Sequence, residues 1–485
     1  MTNFPDITVD SNPPDLQNLA VEPSFDLFAH ESDDSGRTDE QNAERFIDKN
    51  LERLMYVPEW RRWLVWDGRR WYDDNGVGVR RHARYYVKNL WNELGKKVSS
   101  VSRDEFSKIQ TFVKRSNSAA GIKALIDLAR SDPRIVCPVK DLNRHLTLLN
   151  VENGTIDLAT GKFRDHDPAD RITQLAPVRF DPAATCPEWL ATLELVFNSD
   201  QGLIRYVQQL LGYSCSGLVD HHVLPICWGN GNNGKSTISG TIVNLLGDYA
   251  KPVSQDLLLP VQQQHPTIIA DLYQRRFCPL AEIDQNRKLN EAIAKMLTGG
   301  DKLTGRRCGE DFWDFDPTHK FWLSCNHKPR ISGTDEGIWR RVRLIPFTVD
   351  ISKKTKPKPG LSKSLVRNEG PGILNWLIAG FKDYYEHELV EPDCVMAATN
   401  DYRDSEDVLG LFIKEHCVVE LGGTATAEQL FVAFKNDFGG KWTKTAFGKA
   451  ISERFKKEKA WEGINRGKVV YEGIRVKTNE EELFD

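Results

Sequence analysis

From Gly229 to Thr237 the chain reads Gly-Asn-Gly-Asn-Asn-Gly-Lys-Ser-Thr. These residue types can hold an anion. Gly229, Gly231 and Gly234, with the small amides Asn230, Asn232 and Asn233 between them, let backbone N–H groups wrap around phosphate oxygens. Lys235 then reaches the β and γ oxygens, the Ser236 hydroxyl ligates Mg²⁺, and Thr237 stands next to it. The spacing of Gly229, Gly234, Lys235 and Ser236 is that of a phosphate-binding loop, which makes ATP and Mg²⁺ the expected cofactors.

Such a loop needs a strand before it and a helix after it. His222 to Trp228 reads as a short buried strand and Thr237 to Leu246 has helical spacing, so the loop opens a helix whose positive end faces the anion. Downstream, Phe277-Cys-Pro-Leu-Ala-Glu-Ile-Asp284 is an apolar strand ending in two acids. A nucleotide hydrolase keeps the carboxylates that position Mg²⁺ and polarise the attacking water at such a place. Glu282 is the first candidate for that work and Asp284 the second. Lys320 to Asn326 is another strand, and its terminal amide, Asn326, can hold the water or sense the γ-phosphate. Arg340 and Arg341 precede a further apolar strand, and arginine stabilises charge on a transferring phosphoryl group.

In order and spacing, the loop at 229, Ala281-Glu282, Leu297-Thr-Gly-Gly-Asp301, Leu323-Ser-Cys-Asn326-His-Lys-Pro329 and Trp339-Arg-Arg341 resemble the signatures of superfamily 3 helicases. More narrowly, they resemble the phage and plasmid primase-helicase family typified by satellite phages and, more distantly, poxviruses. The likeness continues upstream through Leu149-Asn-Val-Glu-Asn-Gly-Thr-Ile-Asp-Leu-Ala-Thr-Gly161 and Leu210-Leu-Gly-Tyr213. It implies an AAA+ type ring, commonly a hexamer, with ATP at each subunit junction and a DNA strand in the pore. Carried over by position, Lys235 and Ser236 bind phosphate and Mg²⁺, Glu282 is the Walker B acid with Asp284 beside it, and Asn326 is the sensor. Arg340 and Arg341 become candidate arginine fingers toward the neighbouring subunit, with Arg341 favoured. The segment between the Gly-Gly-Asp motif and the sensor strand becomes a hairpin that grips DNA, with Lys302, Arg306 and Arg307 as its cations. No paired-acid primase region precedes these motifs, so any primase or polymerase is expected to be a separate partner.

Bulk properties agree with this class. A chain of 485 residues holds about three domains. No run of 18 apolar residues and no charged-then-apolar leader occurs, so neither membrane span nor secretion is expected. Nine cysteines without a C-x-x-C pair point to reduced thiols and a cytoplasmic protein. The net charge of −4 is uneven. Residues 1–40 carry ten Asp or Glu against Arg37 alone, the composition of a disordered acidic tail. From Lys441 to Lys477, eleven Lys or Arg stand against four Glu.

The expected order is therefore the acidic tail (1–40), a mixed α+β and helical domain (41–200), an α/β AAA+ type P-loop core with a parallel sheet (201–350), a linker and helical segment (351–400) and a winged helix (401–485). Within the second, Trp63-Leu-Val-Trp66 and Arg70-Trp-Tyr72 form a hairpin with buried aromatics, 104–130 is helical, and a second hairpin turns at Asn153-Gly154 and Thr160-Gly161. In the last, helices near 426–437 and 444–456 precede two strands around Asn465-Arg466-Gly467-Lys468. Lys444 and Lys449 on a helix, and Arg466 and Lys468 at a wing tip, are the expected duplex or fork contacts. The leading functional reading is an ATP-dependent replicative DNA helicase of a phage, satellite or plasmid. Its rivals are an origin-binding initiator and a packaging or remodelling ATPase without processive unwinding.

Overall fold

The computed structural model describes residues 37–260, 266–280, 287–307, 309, 311–331, 336–356, 358–438, 442–459, 465 and 467–478. The acidic segment ahead of Arg37, and with it most of the expected tail, lies outside them, as do Glu282, Asp284 and Arg466.

At the centre is a parallel sheet in the order Val342–Pro346, Leu224–Trp228, Lys320–Cys325, Phe277–Leu280. Its strands are near-continuous apolar runs because helices and loops cover both faces. Isolated parallel bridges, Ala250 to Phe277 and Val253 to Leu280, carry the sheet one segment further. The chain thus leaves the Leu224–Trp228 strand toward the 250–253 edge, works back through two strands, and returns on the opposite side of its starting strand. That reversal of direction makes the carboxyl end of Leu224–Trp228 a topological switch point, where open α/β sheets bind ligands.

Helices flanking the sheet in sequence pack together in space. One apolar core joins residues from Leu149 through Tyr213 and Ile242 to Phe381 and Val395. The expected linker and helical segment is mostly a core element: helix Leu361–His387 runs 27 residues and passes through Pro371. It begins at Leu361, early in that segment, so little of the segment is linker. Two features of this helix hold its neighbours. Its Glu369 carboxylate accepts the N–H groups of Glu188 and Trp189, both at 2.9 Å, and so caps helix Pro187–Val196. Its Gly372 lies so close to Thr185 that an added Cβ would sit 2.2 Å from that carbonyl oxygen.

The N-terminal unit is a three-stranded antiparallel sheet (Leu54–Val57, Arg62–Trp66, Trp71–Tyr72) packed with helices Asp39–Asp48, Val77–Lys97, Arg103–Ser116 and Ala119–Ala129. The hairpin expected at Trp63 to Tyr72 is present, with Trp66 opposite Trp71. Trp63 and Trp71 are buried as core residues. The second hairpin pairs Leu148–Val151, Gly154–Asp157 and Lys162–Arg164.

The C-terminal unit follows helix Asp393–Glu406 and reads helix Val408–His416, strand Cys417–Thr426, helices Ala427–Asp437 and Lys444–Ser452, then strands Lys457–Lys459 and Val469–Val476. Its sheet places Val469–Val476 between the other two strands. The strand Cys417–Thr426 is an addition to the elements expected here. Its Gly422-Gly423 sits in a register shift between Val419 and Thr424 that hides the period-two pattern.

Candidate phosphate-binding site

The Gly229–Gly234 loop leaves the carboxyl end of strand Leu224–Trp228 and opens helix Lys235–Leu246. Glycine is required at both ends of the loop, for different reasons. Gly234 is left-handed at φ +88°, and a Cβ there would stand 2.5 Å from Val196 Cγ2. A Cβ on Gly229 would lie 2.1 Å from the backbone oxygen of Phe347. Asn233 is buried and ties the loop down, its amide donating to Phe347 O at 3.1 Å and also to Asn230 O. The Ile351 N–H donates to Asn232 O at 2.9 Å. Residues 347–351, which sequence reasoning did not single out, therefore brace the loop from the neighbouring strand.

Lys235 is 6% exposed. Its Nζ donates to Gly229 O, to Asn233 Oδ1 at 3.1 Å and to Asn326 Oδ1 at 3.2 Å. The loop lysine and the strand-end amide are thus gathered from elements 91 positions apart. Their meeting follows from the parallel register, in which Cys325 is level with Trp228. In the same register Leu280 is level with Leu323, so strand Phe277–Leu280 runs toward the same sheet edge. Asn230, Gly231, Asn232 and Ser236 are exposed, and Thr237 is half-buried. A cleft of about 330 Å³ opens beside the loop, between helix Pro187–Val196 and the segment from Ile351 to Leu361; Asn232, Gly234 and Thr237 form its loop side, with Leu195 and Ile351 as apolar walls.

Arg340 and Arg341 are elsewhere. The Leu224 N–H donates to Arg341 O at 2.7 Å, which puts both arginines at the amino edge of the sheet. A five-residue strand, about 16 Å, separates that edge from the loop. Arg341 is held within the chain, Nε donating to Thr298 Oγ1 at 3.1 Å and Nη1 to Gly337 O at 2.7 Å. It thereby joins the Leu297-Thr-Gly-Gly-Asp301 motif to the Trp339-Arg-Arg341 motif. Arg340 is exposed, and its side chain has no hydrogen bond or ion pair among the described residues.

The segment after Asp301 forms an antiparallel hairpin, Leu303–Gly305 with Trp313–Phe315. Lys302 and Arg306 are exposed; the Arg306 guanidinium lies 4.9 Å from the Phe312 ring centre. Arg307 lies between two indoles, 5.5 Å from Trp60 of the N-terminal unit and 5.4 Å from Trp313.

In the C-terminal unit Lys449 and Lys468 are exposed, while Lys444 pairs with Glu428. Arg454 donates to both carboxylate oxygens of Asp407 at 2.7 Å, and Lys456 meets Glu458 and Glu472. Part of the basic charge of this end is therefore paired locally. No helix among the described residues is long and apolar enough to cross a membrane, and no two described cysteines are joined in a disulfide.

Residues 43–198 match the family model described as "D5 N terminal like", and residues 227–341 match a "Family of unknown function (DUF5906)". A protein named "Putative helicase" from Acanthamoeba polyphaga mimivirus is 29% identical over 318 residues, covering 61% of this chain and 33% of that protein. Another so named from Invertebrate iridescent virus 6 is 26% identical over 219 residues, covering 42% of this chain and 22% of that one. The matched region thus spans a third or less of the length of these viral relatives. Among solved structures, the apo C terminal region of NrS-1 overlays with a TM-score of 0.41 at 12% identity, covering 61% of this chain and 78% of that one. Two adjoining family matches and the viral relatives agree with the motif order and support the assignment of the chain to the phage- and poxvirus-like primase-helicase family.

Proposed function

We propose that the chain is the ATP-hydrolysing, DNA-translocating part of a replicative helicase of superfamily 3 type that acts as a ring, commonly a hexamer. The observation that carries this reading is the meeting of Lys235 and Asn326 at the carboxyl edge of a parallel sheet, at its switch point. A buried ammonium shared by a loop carbonyl and two amides is placed to exchange those oxygens for phosphate oxygens. The loop N–H groups at the start of helix Lys235–Leu246 add partial positive charge to the same place. Ser236 supplies a hard oxygen for Mg²⁺, and Glu282, two positions beyond Leu280, supplies the carboxylate, with Asp284 as second acid. The metal offsets charge on the phosphates. The cleft beside Thr237 takes the nucleoside, its apolar walls covering the base.

The arginine pair stands a strand's length from the loop of its own chain, so in this reading an arginine reaches the nucleotide of the neighbouring subunit. Arg340 is the better placed of the two, because Arg341 is engaged within its own chain. Lys302 and Arg306 on the hairpin meet the single strand in the ring's pore, with the terminal unit acting as a winged helix whose Lys444, Lys449, Arg466 and Lys468 meet the duplex or fork. Strand separation on a forked duplex, with ATP and the intact chain, tests the reading. ATP hydrolysis stimulated by DNA without separation of the strands would instead favour a remodelling or packaging ATPase. Replication that survives Glu282→Gln would favour an initiator.

A further inference from the structure

Helix Val77–Lys97 is amphipathic in an unusual way. One face, Val79, Ala83, Tyr86, Val87, Leu90 and Leu94, is buried in the N-terminal core. Along the opposite face stand Arg80, Arg84 and Lys88, four residues apart and all exposed, with Arg81 and Tyr85 as a second exposed row beside them. Tyr85 is 47% exposed. The first acid of the helix is Glu93, and it pairs with Lys96.

These four cations have no hydrogen-bond, ion-pair or ring partner among the described residues. Elsewhere in the same unit Arg37, Arg62, Arg70, Arg115, Arg130 and Arg134 each meet a carboxylate. The row also works against the helix that bears it. Like charges at i and i+4 repel, and Arg80 and Arg81 lie in its first turns, where the helix dipole is positive. A cationic row of this kind, about 12 Å long, gains most from a polyanion laid along it.

We infer that the exposed face of helix Val77–Lys97 is a second nucleic-acid site, distinct from the hairpin and the terminal unit, that tracks the backbone of single-stranded DNA. Arg80, Arg81, Arg84 and Lys88 meet phosphates, and Tyr85, standing among them, offers a ring to an unstacked base. Cations interleaved with an aromatic are the means by which sequence-tolerant single-strand sites hold their ligand. The site lies in the "D5 N terminal like" part of the chain, and it rests on the reading of the chain as a DNA motor.

Binding of a fluorescent poly-dT oligonucleotide to the full chain, titrated at several salt concentrations, tests it. The variant Arg80→Ala/Arg81→Ala/Arg84→Ala/Lys88→Ala is expected to lose about tenfold or more in affinity. Its slope of log K against log salt is expected to flatten by roughly 3, the sum over four phosphate contacts on a single strand. Tyr85→Ala is expected to weaken poly-dT binding by about tenfold while leaving the slope unchanged. Basal ATP hydrolysis and the unfolding midpoint are expected to stay at the wild-type level in both variants. Affinity and slope equal to wild type in the fourfold variant would overturn the site while leaving the motor intact. That result would fit a row that holds an acidic protein segment instead. A wild-type chain that binds no DNA at any salt would overturn both the site and the motor.

Discussion

The guanidinium of Arg307 on the hairpin stands 5.5 Å from the ring centre of Trp60, which belongs to the N-terminal unit. Trp313 closes on its other side at 5.4 Å, and Tyr273 meets Trp60, Trp313 and Phe315 edge-on. The hairpin is thereby pinned to the N-terminal unit by a cation among aromatic rings. Trp60→Ala and Arg307→Ala are each expected to destabilise the chain, and a double-mutant cycle in chemical denaturant is expected to give a coupling of about 1 kcal/mol. Additive losses would mean that the two side chains are merely neighbours. Arg307 had been expected only as a DNA grip, and a second role as a brace gives it an effect on stability without DNA present.

The two end glycines of the Gly229–Gly234 loop predict a sharp local sensitivity. Gly229→Ala forces its methyl against the Phe347 carbonyl, and Gly234→Ala combines a left-handed backbone with a clash on Val196. Each is expected to weaken nucleotide binding by at least about tenfold while the fold, read by circular dichroism, persists. Exposed Gly231 has nothing within 4 Å of an added Cβ, and Gly231→Ala is expected to bind nucleotide nearly normally. Equal affinity in all three variants would contradict the loop assignment.

The two arginines at the amino edge predict different phenotypes. Arg341→Ala removes bonds to Thr298 and Gly337 and is expected to cost about 1–2 kcal/mol in unfolding free energy. Arg340→Ala is expected to leave stability unchanged and to abolish turnover. Mixing Arg340→Ala with Lys235→Ala chains is then expected to restore part of the hydrolysis, because mixed junctions pair an intact loop with an intact arginine. Absence of recovery at every ratio would argue against an arginine acting between subunits.

His319 predicts an acid limb in stability. It is 4% exposed, its Nε2 faces Leu297 O at 3.1 Å, and burial pushes its pKa down to about 4. The unfolded chain titrates near 6.5 and so binds the proton first as pH falls. The stability held by the neutral ring is complete above about pH 6.5 and is lost progressively toward pH 4, by about 3 kcal/mol in all. His319→Gln, which keeps a donor for Leu297, is expected to flatten the fall in unfolding midpoint between pH 7 and pH 5. An unchanged fall would assign that limb to other groups, His82 first among them, since burial depresses its pKa similarly.

Much of the central sheet was legible because its strands are short apolar runs ending in small or polar residues, and the loop from Gly229 to Gly234 was legible because its glycines and small amides separate an apolar strand from a helix. Among the elements missed in whole or in part, three have identifiable reasons. The extent of helix Leu361–His387 was hidden by Pro371 and by its polar start; the helix packs against helix Gln201–Cys215. Strand Cys417–Thr426 was hidden by a bulge at paired glycines. Helix Val77–Lys97 follows an Asn75-Gly76 turn, has no side-chain N-cap and carries its cations on one face, so no start signal marked it. At the site, Lys235 and Asn326 could be named from sequence, whereas the brace from Phe347 and Ile351 could not, because it depends on strand order. The placement of Arg340 and Arg341 at the far edge likewise depends on which end of a parallel strand they precede.

The most direct measurement is ATP hydrolysis by the purified intact chain with Mg²⁺, with and without single-stranded DNA, beside Lys235→Ala. Turnover that rises with DNA and falls to background in Lys235→Ala is the predicted result. Turnover in Lys235→Ala close to that of the wild type, or a wild-type chain that hydrolyses no ATP under either condition, would contradict it.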